Sequence, residues 1–510
     1  MPLHIDRHLT PRKLLPAIDQ VFELSGRKIL SLERTWNPAQ GAPVFTVRGR
    51  YTTRGWTEWT QGFQFGAAFL QFDATHDEAF LQLGRQGTLA HMARHVSHTG
   101  VHDHGFNNVS TYGNLWRLLL EKRLPANPDE QNFCELALKL SGAIQAARWT
   151  RLADGTGFIH SFNGPHSLFV DTLRSGRALA LAHLLGHVLL GEQDARISLL
   201  DRLLEHTLNT ARYNIYYGTG RDAYDVRGRT AHEAVFNTAS GAFRCPNTQQ
   251  GYSPFSTWTR GLAWAICGFA EQLEFLRHFH QPTHTPSPTN SIHPAHPHEA
   301  TLLEAARATA DFYLAHCCAD GIPFWDTGAP NLHRLPPDHL DQPADPSNRW
   351  EPVDSSAAAI AAQGLIRLGN YLAASPHPCG AGFQPAQSLG GAGFQPAQSA
   401  CGAGFQPAPP RRQAAVRIRP RPAPPYKQAG LTIARTLFAK PYLSTHPRHQ
   451  GLLLHSVYHR PNGWDHIPPG THVPHGESSM WGDYHARELA LLIRREARGE
   501  PYLTFFAHSR

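Results

Sequence analysis

Cysteine is scarce in this chain, and its arrangement argues against a fold held together by disulfide bonds. The 510 residues include seven cysteines, none of them in a Cys-x-x-Cys pair. Their number is odd and Cys317 is followed directly by Cys318, which does not suit a disulfide framework. We therefore expect reduced thiols and a cytoplasmic protein.

Long apolar runs and metal-binding motifs are also missing. No run approaches the length of a membrane helix, and residues 1–8 lack the apolar core of a signal peptide. The 33 histidines form no His-Glu-x-x-His arrangement, and many lie in the Pro- and Thr-rich stretch from His278 to His298, which indicates compositional bias. We expect no membrane partner, no metal and no cofactor.

The net charge of +7 does not indicate a nucleic-acid-binding protein. Five of the 47 basic residues lie between Arg411 and Arg421, in a proline-rich stretch without aromatic residues. Because a nucleic-acid site would interleave aromatic side chains with the basic ones, we interpret this run as a solvated linker. We expect no nucleic-acid partner.

Strand-like alternation is scarce, whereas helical periodicity recurs along the chain. The segments with helical spacing of apolar residues are 78–84, 133–147, 173–190, 262–276, 302–316, 355–372 and 487–494. Such recurrence indicates repeated helical hairpins, each of which buries an apolar face against its neighbours. The sequence predicts an all-α fold in which residues 1–510 form one domain.

Two segments interrupt the helical pattern. Residues 280–298 are polar and rich in proline, and residues 375–427 contain an eleven-residue repeat whose copies begin at Gly382, Gly393 and Gly404. The repeat is too short for a solenoid and too rich in Gly and Pro to pack. We predict that both segments are insertions without a catalytic role, the longer one disordered.

The segment from Gln250 to Trp264 places an arginine between two tryptophans where a loop becomes a helix. Arg260 can bind a carboxylate through two parallel hydrogen bonds, and an aromatic face can cover the apolar side of a pyranose ring. These parts favour a site for a sugar acid. The alternative is that Trp258 and Trp264, six residues apart, simply belong to the core.

Two aspartates stand out as candidate catalytic residues. Asp103 lies in a glycine-containing turn just before Phe106, and Asp171 directly follows an apolar run and precedes an apolar helical stretch. Burial disfavours the charged form of a carboxyl group, so we expect a raised pKa that leaves Asp171 a proton donor near neutral pH. The alternative for Asp171 is a helix N-cap, but its apolar neighbours favour a position inside the helix.

Taken in order, these motifs resemble those of the unsaturated glucuronyl hydrolases of glycoside hydrolase family 88, whose scaffold the unsaturated rhamnogalacturonyl hydrolases share. The motifs are His-Asp-x-Gly-Phe at 102–106, Val-Asp-x-Leu at 170–173, Gln-Gly-Tyr at 250–252, Trp-x-Arg-Gly-x-Ala-Trp at 258–264, Asp-Ser-Ser-Ala-Ala-Ala-Ile-Ala at 354–361 and Trp-Gly-Asp-Tyr at 481–484. The resemblance runs from about Trp56 to Leu492 and implies an (α/α)6 barrel whose inner helices line a cavity.

The resemblance also implies a reaction. The substrates of the family are lyase products, oligosaccharides that end in a uronate with a C4=C5 double bond conjugated to its carboxylate. Protonation of C4 makes C5 an oxocarbenium-like centre, water attacks C5, and the resulting hemiketal opens and releases the aglycone. One carboxyl group can act as the acid and then as the base.

The resemblance assigns roles residue by residue. Asp171 matches the general acid/base, and Asp103 matches the second carboxylate, which holds ring hydroxyls and whose charge raises the pKa of Asp171 further. The remaining matches are the aromatic positions Trp59 and Phe63, the polar contacts His232 and Gln250, and the motif residues Trp258, Arg260 and Trp264. For His232, a satisfied surface or core histidine is the alternative.

Two departures from the family pattern point to a different sugar or aglycone. Leu262 stands where the family has glutamine, and Gln64 stands where it has tryptophan; both are expected near the substrate. Two other classes stay open. One is another carbohydrate enzyme on the same scaffold, either a polysaccharide lyase or a conventional glycosidase using Asp103 and Asp171, and the other is a non-catalytic sugar-binding protein.

Overall fold

The computed structural model describes residues 2–55, 58–279, 297–374 and 425–507. The described residues up to Ala373 and from Pro425 onward form one compact unit. The two predicted insertions, 280–298 and 375–427, lie almost entirely outside the described residues. The predicted end of the longer one is wrong, because a helix already begins at Tyr426.

Helices dominate the described chain. They are α1 (Leu15–Glu33), α2 (Gln61–Thr75), α3 (Glu78–His91), α4 (Ala93–Val96), α5 (His104–Asn107), α6 (Asn114–Leu120), α7 (Pro128–Ala147), α8 (Thr172–Ser175), α9 (Arg177–Leu184), α10 (Leu199–Tyr213), α11 (Thr259–Phe279), α12 (Glu299–His316), α13 (Ser355–Ala373), α14 (Tyr426–Leu437) and α15 (Met480–Arg498). A π-helical turn, Val109–Gly113, joins α5 to α6. Short 3₁₀ turns occupy Pro11–Leu14, Pro38–Gln40, Glu58–Thr60, Glu192–Asp194, Leu332–Arg334 and Arg460–Asn462.

Side-chain caps fix where several of these helices begin. Asn127 accepts a hydrogen bond from the backbone N–H of Glu130 at the start of α7, and Ser198 does the same for Asp201 at the start of α10. Each cap satisfies a backbone donor that the helix leaves without an internal partner.

One helix predicted from the sequence is divided. The stretch 173–190 forms α8 and α9, and it is no longer helical after Leu184. Gly186 has a φ of +74°, a left-handed conformation that ends a helix and that glycine adopts without steric cost. Leu189 and Leu190 belong to a short strand instead.

Within the described ranges, nine short antiparallel strands lie in the connections between helices. They are β1 (Pro43–Val47) with β2 (Arg50–Thr53), β3 (Trp149–Arg151) with β4 (Gly157–Ile159), β6 (Leu189–Leu190) with β7 (Arg196–Ile197), and the sheet of β5 (Ser167–Phe169), β8 (Glu233–Phe236) and β9 (Phe243–Asn247) in the order β5-β8-β9. Phe169 pairs with Glu233 in that sheet, and the N–H of Val170 donates to the carbonyl oxygen of His232 at 3.0 Å. The sheet therefore brings His232 close to Asp171.

Most of the helices form two sets, one packed against the other. A first set makes contact from neighbour to neighbour: α2 with α5 and the π-turn, α5 with α8, α8 and α9 with α11, α11 with α13, α13 with α15, and α15 with α2. The second set, α1, α3, α7, α10, α12 and α14, packs against the first. Residues 355–368 of α13 are buried on every side, as expected of a helix enclosed by others. Among the described residues, no helix is long and apolar enough to cross a bilayer.

Buried ion pairs join three helices of the first set. Arg174 of α8 donates two hydrogen bonds to Glu271 of α11, at 2.6 and 3.1 Å, and one to Glu488 of α15 at 3.0 Å. Arg177 and Arg367 also lie within 4 Å of Glu271. All of these side chains are at most 3% exposed, so each charge depends on its partners rather than on water.

We expect Glu271→Gln to destabilise the fold by about 3–5 kcal/mol, because it leaves Arg174 buried with too little negative charge around it. Glu304→Gln is the matched control: Glu304 pairs with Arg227 at 3.0 Å, but the two side chains are 47% and 40% exposed. Removing that exposed pair should cost about 0–1 kcal/mol. Chemical denaturation of the three proteins measures both values, and equal losses would contradict the role given to Glu271.

Candidate active site

Most of the predicted site residues line one pocket, whose volume is about 820 Å³. Those that line it are Trp59, Asp103, Asp171, Gln250, Trp258, Arg260 and Trp264. The other lining residues are Val101, His102, Phe106, Phe162, Gln249, Tyr458, His459, Asn462 and Trp464. The pocket is thus largely aromatic, and Asp103 and Asp171 are the acidic residues among the described part of its lining.

The two aspartates occupy equivalent positions in the backbone. Asp103 directly precedes α5 and Asp171 directly precedes α8, and neither side chain makes a capping hydrogen bond. The prediction that Asp171 lies inside a helix is therefore wrong, because it stands at the N-cap position. Since the carboxylate does not cap, it stays available to the pocket.

A close backbone approach brings α5 and α8 together. A Cβ atom on Gly105 would lie only 2.1 Å from the carbonyl oxygen of Ser175, so only glycine fits there. The N–H of Gly105 donates to Ser175 Oγ at 3.0 Å, and Ser175 Oγ donates to the carbonyl oxygen of His102 at 2.6 Å. The glycine of the His-Asp-x-Gly-Phe motif is required for this contact.

The imidazole of His102 lies between the two carboxyl groups. Its Nε2 is 3.4 Å from Asp171 Oδ1 and 3.8 Å from Asp103 Oδ1, and the ring is 1% exposed. Burial lowers the pKa of His102, but the charges of Asp103 and Asp171 outweigh it and leave the pKa above its ordinary value. His102 therefore favours the imidazolium form.

This cation reverses the expected pKa of Asp171. Burial raises the pKa of Asp171, as predicted, but the contact with His102 and the charge of that imidazole lower it by more. The prediction of a raised pKa is wrong for this reason. The raised pKa belongs to Asp103, where burial and the charge of Asp171 outweigh His102. The directions of these three shifts favour a proton on His102, next to Asp171.

His232 lies beside the pocket without lining it. Its Nδ1 accepts a hydrogen bond from the N–H of Gln249 at 3.0 Å, and burial lowers its pKa to about 4, so the ring is neutral with its proton on Nε2. That Nε2 is buried without a hydrogen-bond partner in the described part of the chain. The ring packs against Phe169 and Trp258, at centroid distances of 4.3 and 4.8 Å.

Three other predicted positions lie away from the pocket. Phe63 is fully buried beneath Trp59 and Phe106, at ring distances of 6.1 and 5.8 Å, and supports the aromatic lining. Leu262 is buried in α11, and Gln64 lines a separate cavity beside Lys28. The expectation that Leu262 and Gln64 lie near the substrate is wrong, since both side chains point into packing between helices.

Arg260 is fully engaged within the protein. Its Nη1 donates to Asp354 Oδ2 at 2.8 Å and to the carbonyl oxygen of Val457 at 2.7 Å. Its Nη2 donates to Gln250 Oε1 at 3.2 Å and to the carbonyl oxygen of Tyr458 at 2.8 Å. The guanidinium is therefore not free to form the predicted two-bond contact with a substrate carboxylate. It instead fixes Gln250 and the 457–458 backbone at the wall of the pocket.

The sequence analysis assigned no role to several lining residues. His102 directly precedes Asp103 in the quoted motif. This adjacency of an imidazole and a carboxyl group could have marked His102 as a site residue. Two other parts of the lining carried weaker signals in the sequence. One is Phe162, whose ring stacks on His102 at a centroid distance of 5.9 Å, and the other is the segment from Tyr458 to Trp464. The latter has a Pro-Asn-Gly turn between aromatic residues, a pattern typical of an ordered loop.

Comparisons with known proteins agree with the motif-based resemblance. No family model matches the chain. An unsaturated glucuronyl hydrolase of Bacillus sp. strain GL1 is 28% identical over 327 residues, which cover 63% of this chain and 70% of that protein. The chain is thus similar in sequence to a glycoside hydrolase that carries the predicted family name.

The same name recurs among solved structures. The crystal structure of an unsaturated glucuronyl hydrolase specific for heparin has a TM-score of 0.63 at 18% identity, covering 95% of this chain and 100% of that chain. An Asp-to-Asn mutant of the Streptococcus agalactiae enzyme, complexed with dGlcA-GalNAc6S, has a TM-score of 0.58 at 16% identity, covering 97% and 98%. These likenesses establish a shared helical fold, and the predicted resemblance to unsaturated glucuronyl hydrolases is confirmed.

We expect Arg260→Lys to lower the melting temperature by several degrees, because one ammonium group cannot reach four acceptors that a planar guanidinium spans. Losing one or two charge-assisted hydrogen bonds in a buried site costs roughly 1.5–3 kcal/mol each. Arg334→Lys, in which the guanidinium lies over Trp350 at an exposed position, is the control. A variant with an unchanged melting temperature and impaired substrate binding would restore the original interpretation of Arg260.

A second prediction concerns the charge of His102. A histidine with a raised pKa stabilises the fold fully below its unfolded pKa of about 6.5, and this stabilisation is lost as pH rises through the folded pKa. His102→Gln should therefore cost roughly 1.5–3 kcal/mol near pH 6 and clearly less near pH 9.

Thermal unfolding at both pH values measures this difference. His183→Gln serves as the control, because burial lowers the pKa of His183 and its charged form opposes folding. Its effect should not be largest in acid. A His102→Gln penalty that is constant between pH 6 and pH 9 would mean that folding does not raise the pKa of His102.

Proposed function

We propose that this protein is a glycoside hydrolase that releases an unsaturated uronic acid from lyase-generated oligosaccharides by hydrating the C4=C5 double bond. The observation that carries the proposal is the arrangement of Asp171, His102 and Asp103 in an aromatic pocket. The names of the related proteins support it, since they describe unsaturated glucuronyl hydrolases.

We also propose that the scaffold is an (α/α)6 barrel formed by a single catalytic domain, with one insertion at about 280–298 and a longer one that starts at about 375 and ends before Tyr426. The packing supports this architecture, because the first set of helices closes on itself where α15 meets α2, and each member has a partner in the second set. The first set then supplies six inner helices: α2, α5 together with α6, α8 together with α9, α11, α13 and α15. The cytoplasmic location stays a prediction.

Asp171 is the general acid/base of the proposed reaction. It takes up the proton held on His102, 3.4 Å away, and delivers that proton to C4. The carboxylate then takes a proton from the water whose oxygen bonds to C5. One hydrogen and one hydroxyl have been added across the double bond, Asp171 is protonated again, and the hemiketal opens to release the aglycone.

The other residues bind and orient the sugar ring. Asp103 is placed to hold ring hydroxyls, while Trp59, Trp258 and Trp264 offer aromatic faces to the apolar side of the ring. The neutral His232 holds a buried Nε2–H that has no partner among the described residues, and Arg260 keeps Gln250 in place as a polar contact. In this assignment Arg260 and Phe63 are positioning residues.

The substrate class follows from the pocket and the relatives together. A neighbour in fold was complexed with dGlcA-GalNAc6S, and another is specific for heparin. We infer that the partner of this protein is likewise an oligosaccharide with an unsaturated uronate at its end. A panel of unsaturated disaccharides, followed by the ultraviolet absorbance of the conjugated double bond, tests the proposal: absorbance falls in a hydrolase of this kind, rises with saturated substrate in a lyase, and stays constant in a binding protein.

We expect Asp171→Asn to lower the rate by about 10²–10⁴-fold, because the amide is nearly the same shape but cannot transfer a proton. Asp154→Asn is the matched control, since Asp154 is exposed and bonded to Thr156 and Arg212 away from the pocket. The absorbance assay measures both rates, and melting temperatures establish that both variants are folded. An Asp171→Asn variant with more than about a tenth of the wild-type rate would remove Asp171 from the central role.

A further inference from the structure

One wall of the pocket is formed by a loop that the proposed reaction does not use. The rim segment, defined as Tyr458–Trp464, contributes Tyr458, His459, Asn462 and Trp464 to the lining. Asp103 and Asp171 are both 7% exposed, whereas Asn462 is exposed and Trp464 is partly exposed. The pocket therefore runs from buried carboxyl groups toward the rim segment at its solvent side.

The rim segment is held rigidly from both ends. Arg260 donates to the carbonyl oxygens of Val457 and Tyr458 where the segment begins. Asp465, which follows the segment, accepts hydrogen bonds from the N–H groups of Tyr458 and His459 at 2.5 and 3.1 Å. Two buried charged side chains thus close this loop on itself, and a fixed loop loses little conformational entropy when it binds a ligand.

The side chains of the rim segment suit a sugar ring. Trp464 packs against His459 and Tyr458, at ring distances of 4.8 and 5.3 Å, and the guanidinium of Arg54 lies 4.6 Å from its centroid. These contacts fix the indole at the mouth of the pocket. Asn462, whose amide contacts His459 Nε2 at 3.4 Å, also lines the pocket. An aromatic face and an amide in one wall suit a pyranose with polar edges.

The position of the rim segment indicates which sugar of the substrate would contact it. If the unsaturated ring lies against Asp103 and Asp171 at the buried end, the rest of the oligosaccharide must leave through the solvent side. The rim segment lies on that side, next to the sugar that the reaction releases.

We propose that the rim segment is the binding site for the sugar joined to the unsaturated uronate, with Trp464 as its stacking platform and Asn462 as a polar contact. This inference rests on the proposed function and adds a specificity-determining residue to it. The occupant is a pyranose aglycone, as opposed to a small alkyl group, because only a ring can cover the indole.

The experiment compares two substrates that share the unsaturated uronate. One is an unsaturated disaccharide, and the other is the methyl glycoside of the same unsaturated uronate. Trp464→Ala should lower kcat/KM for the disaccharide about tenfold, mainly through KM, while kcat/KM for the methyl glycoside stays within about threefold of wild type. Trp464→Phe keeps an aromatic ring and should give an intermediate loss.

Trp350→Ala is the matched control, because Trp350 is likewise covered by a guanidinium, that of Arg334 at 5.0 Å, yet does not line the pocket. It should change neither substrate. Equal losses on both substrates in Trp464→Ala, or no loss on either, would overturn the assignment of the rim segment while leaving the hydrolase proposal intact. A wild-type protein that splits neither compound would instead overturn both proposals.

Discussion

The site depends on how closely α5 and α8 approach each other. Gly105 rests against the carbonyl of Ser175, and the Ser175 hydroxyl links the backbone of Gly105 to that of His102. Because Asp103 and Asp171 each directly precede one of these two short helices, the distance between the helices sets the distance between the carboxyl groups. A side chain at position 105 would push α5 away from α8, and His102 could then no longer contact both aspartates.

The buried ion pairs hold this arrangement in place within the fold. Arg174, three residues after Asp171, is bonded to Glu271 on α11 and Glu488 on α15, so α8 cannot shift without separating buried charges. Taking such charges out of water costs free energy that their mutual attraction barely offsets. Their benefit is geometric, since apolar packing alone tolerates the small displacements that an active site does not. The same argument applies to Arg260 and Asp354 at the wall of the pocket.

Local patterns predicted the parts of this protein that depend on nearby residues. Helical periodicity located α3, α7, α11, α12, α13 and α15, and the motifs around Asp103 and Asp171 located residues that line one pocket. The predicted segments did not include α1, α2, α10 or α14, although the apolar residues of α1, α10 and α14 recur at helical spacing. The hydrogen bonds of Arg260 could not be predicted, because three of its four partners lie 94 to 198 residues further along the chain. The prediction of a raised pKa for Asp171 failed because the direction of the shift depends on where the fold places the ring of His102.

The lowered pKa of Asp171 and its proposed role as an acid are compatible once the charge of the substrate is counted. The pocket holds two carboxyl groups against one imidazolium, and Arg260 is already neutralised by Asp354. In the proposed reaction the uronate brings a further negative charge into this buried space. A nearby like charge raises the pKa of a carboxyl group, so substrate binding favours transfer of the proton from His102 to Asp171. The acid form would then arise when there is a double bond to protonate, while the free pocket keeps Asp171 ionised and its proton stored next to it.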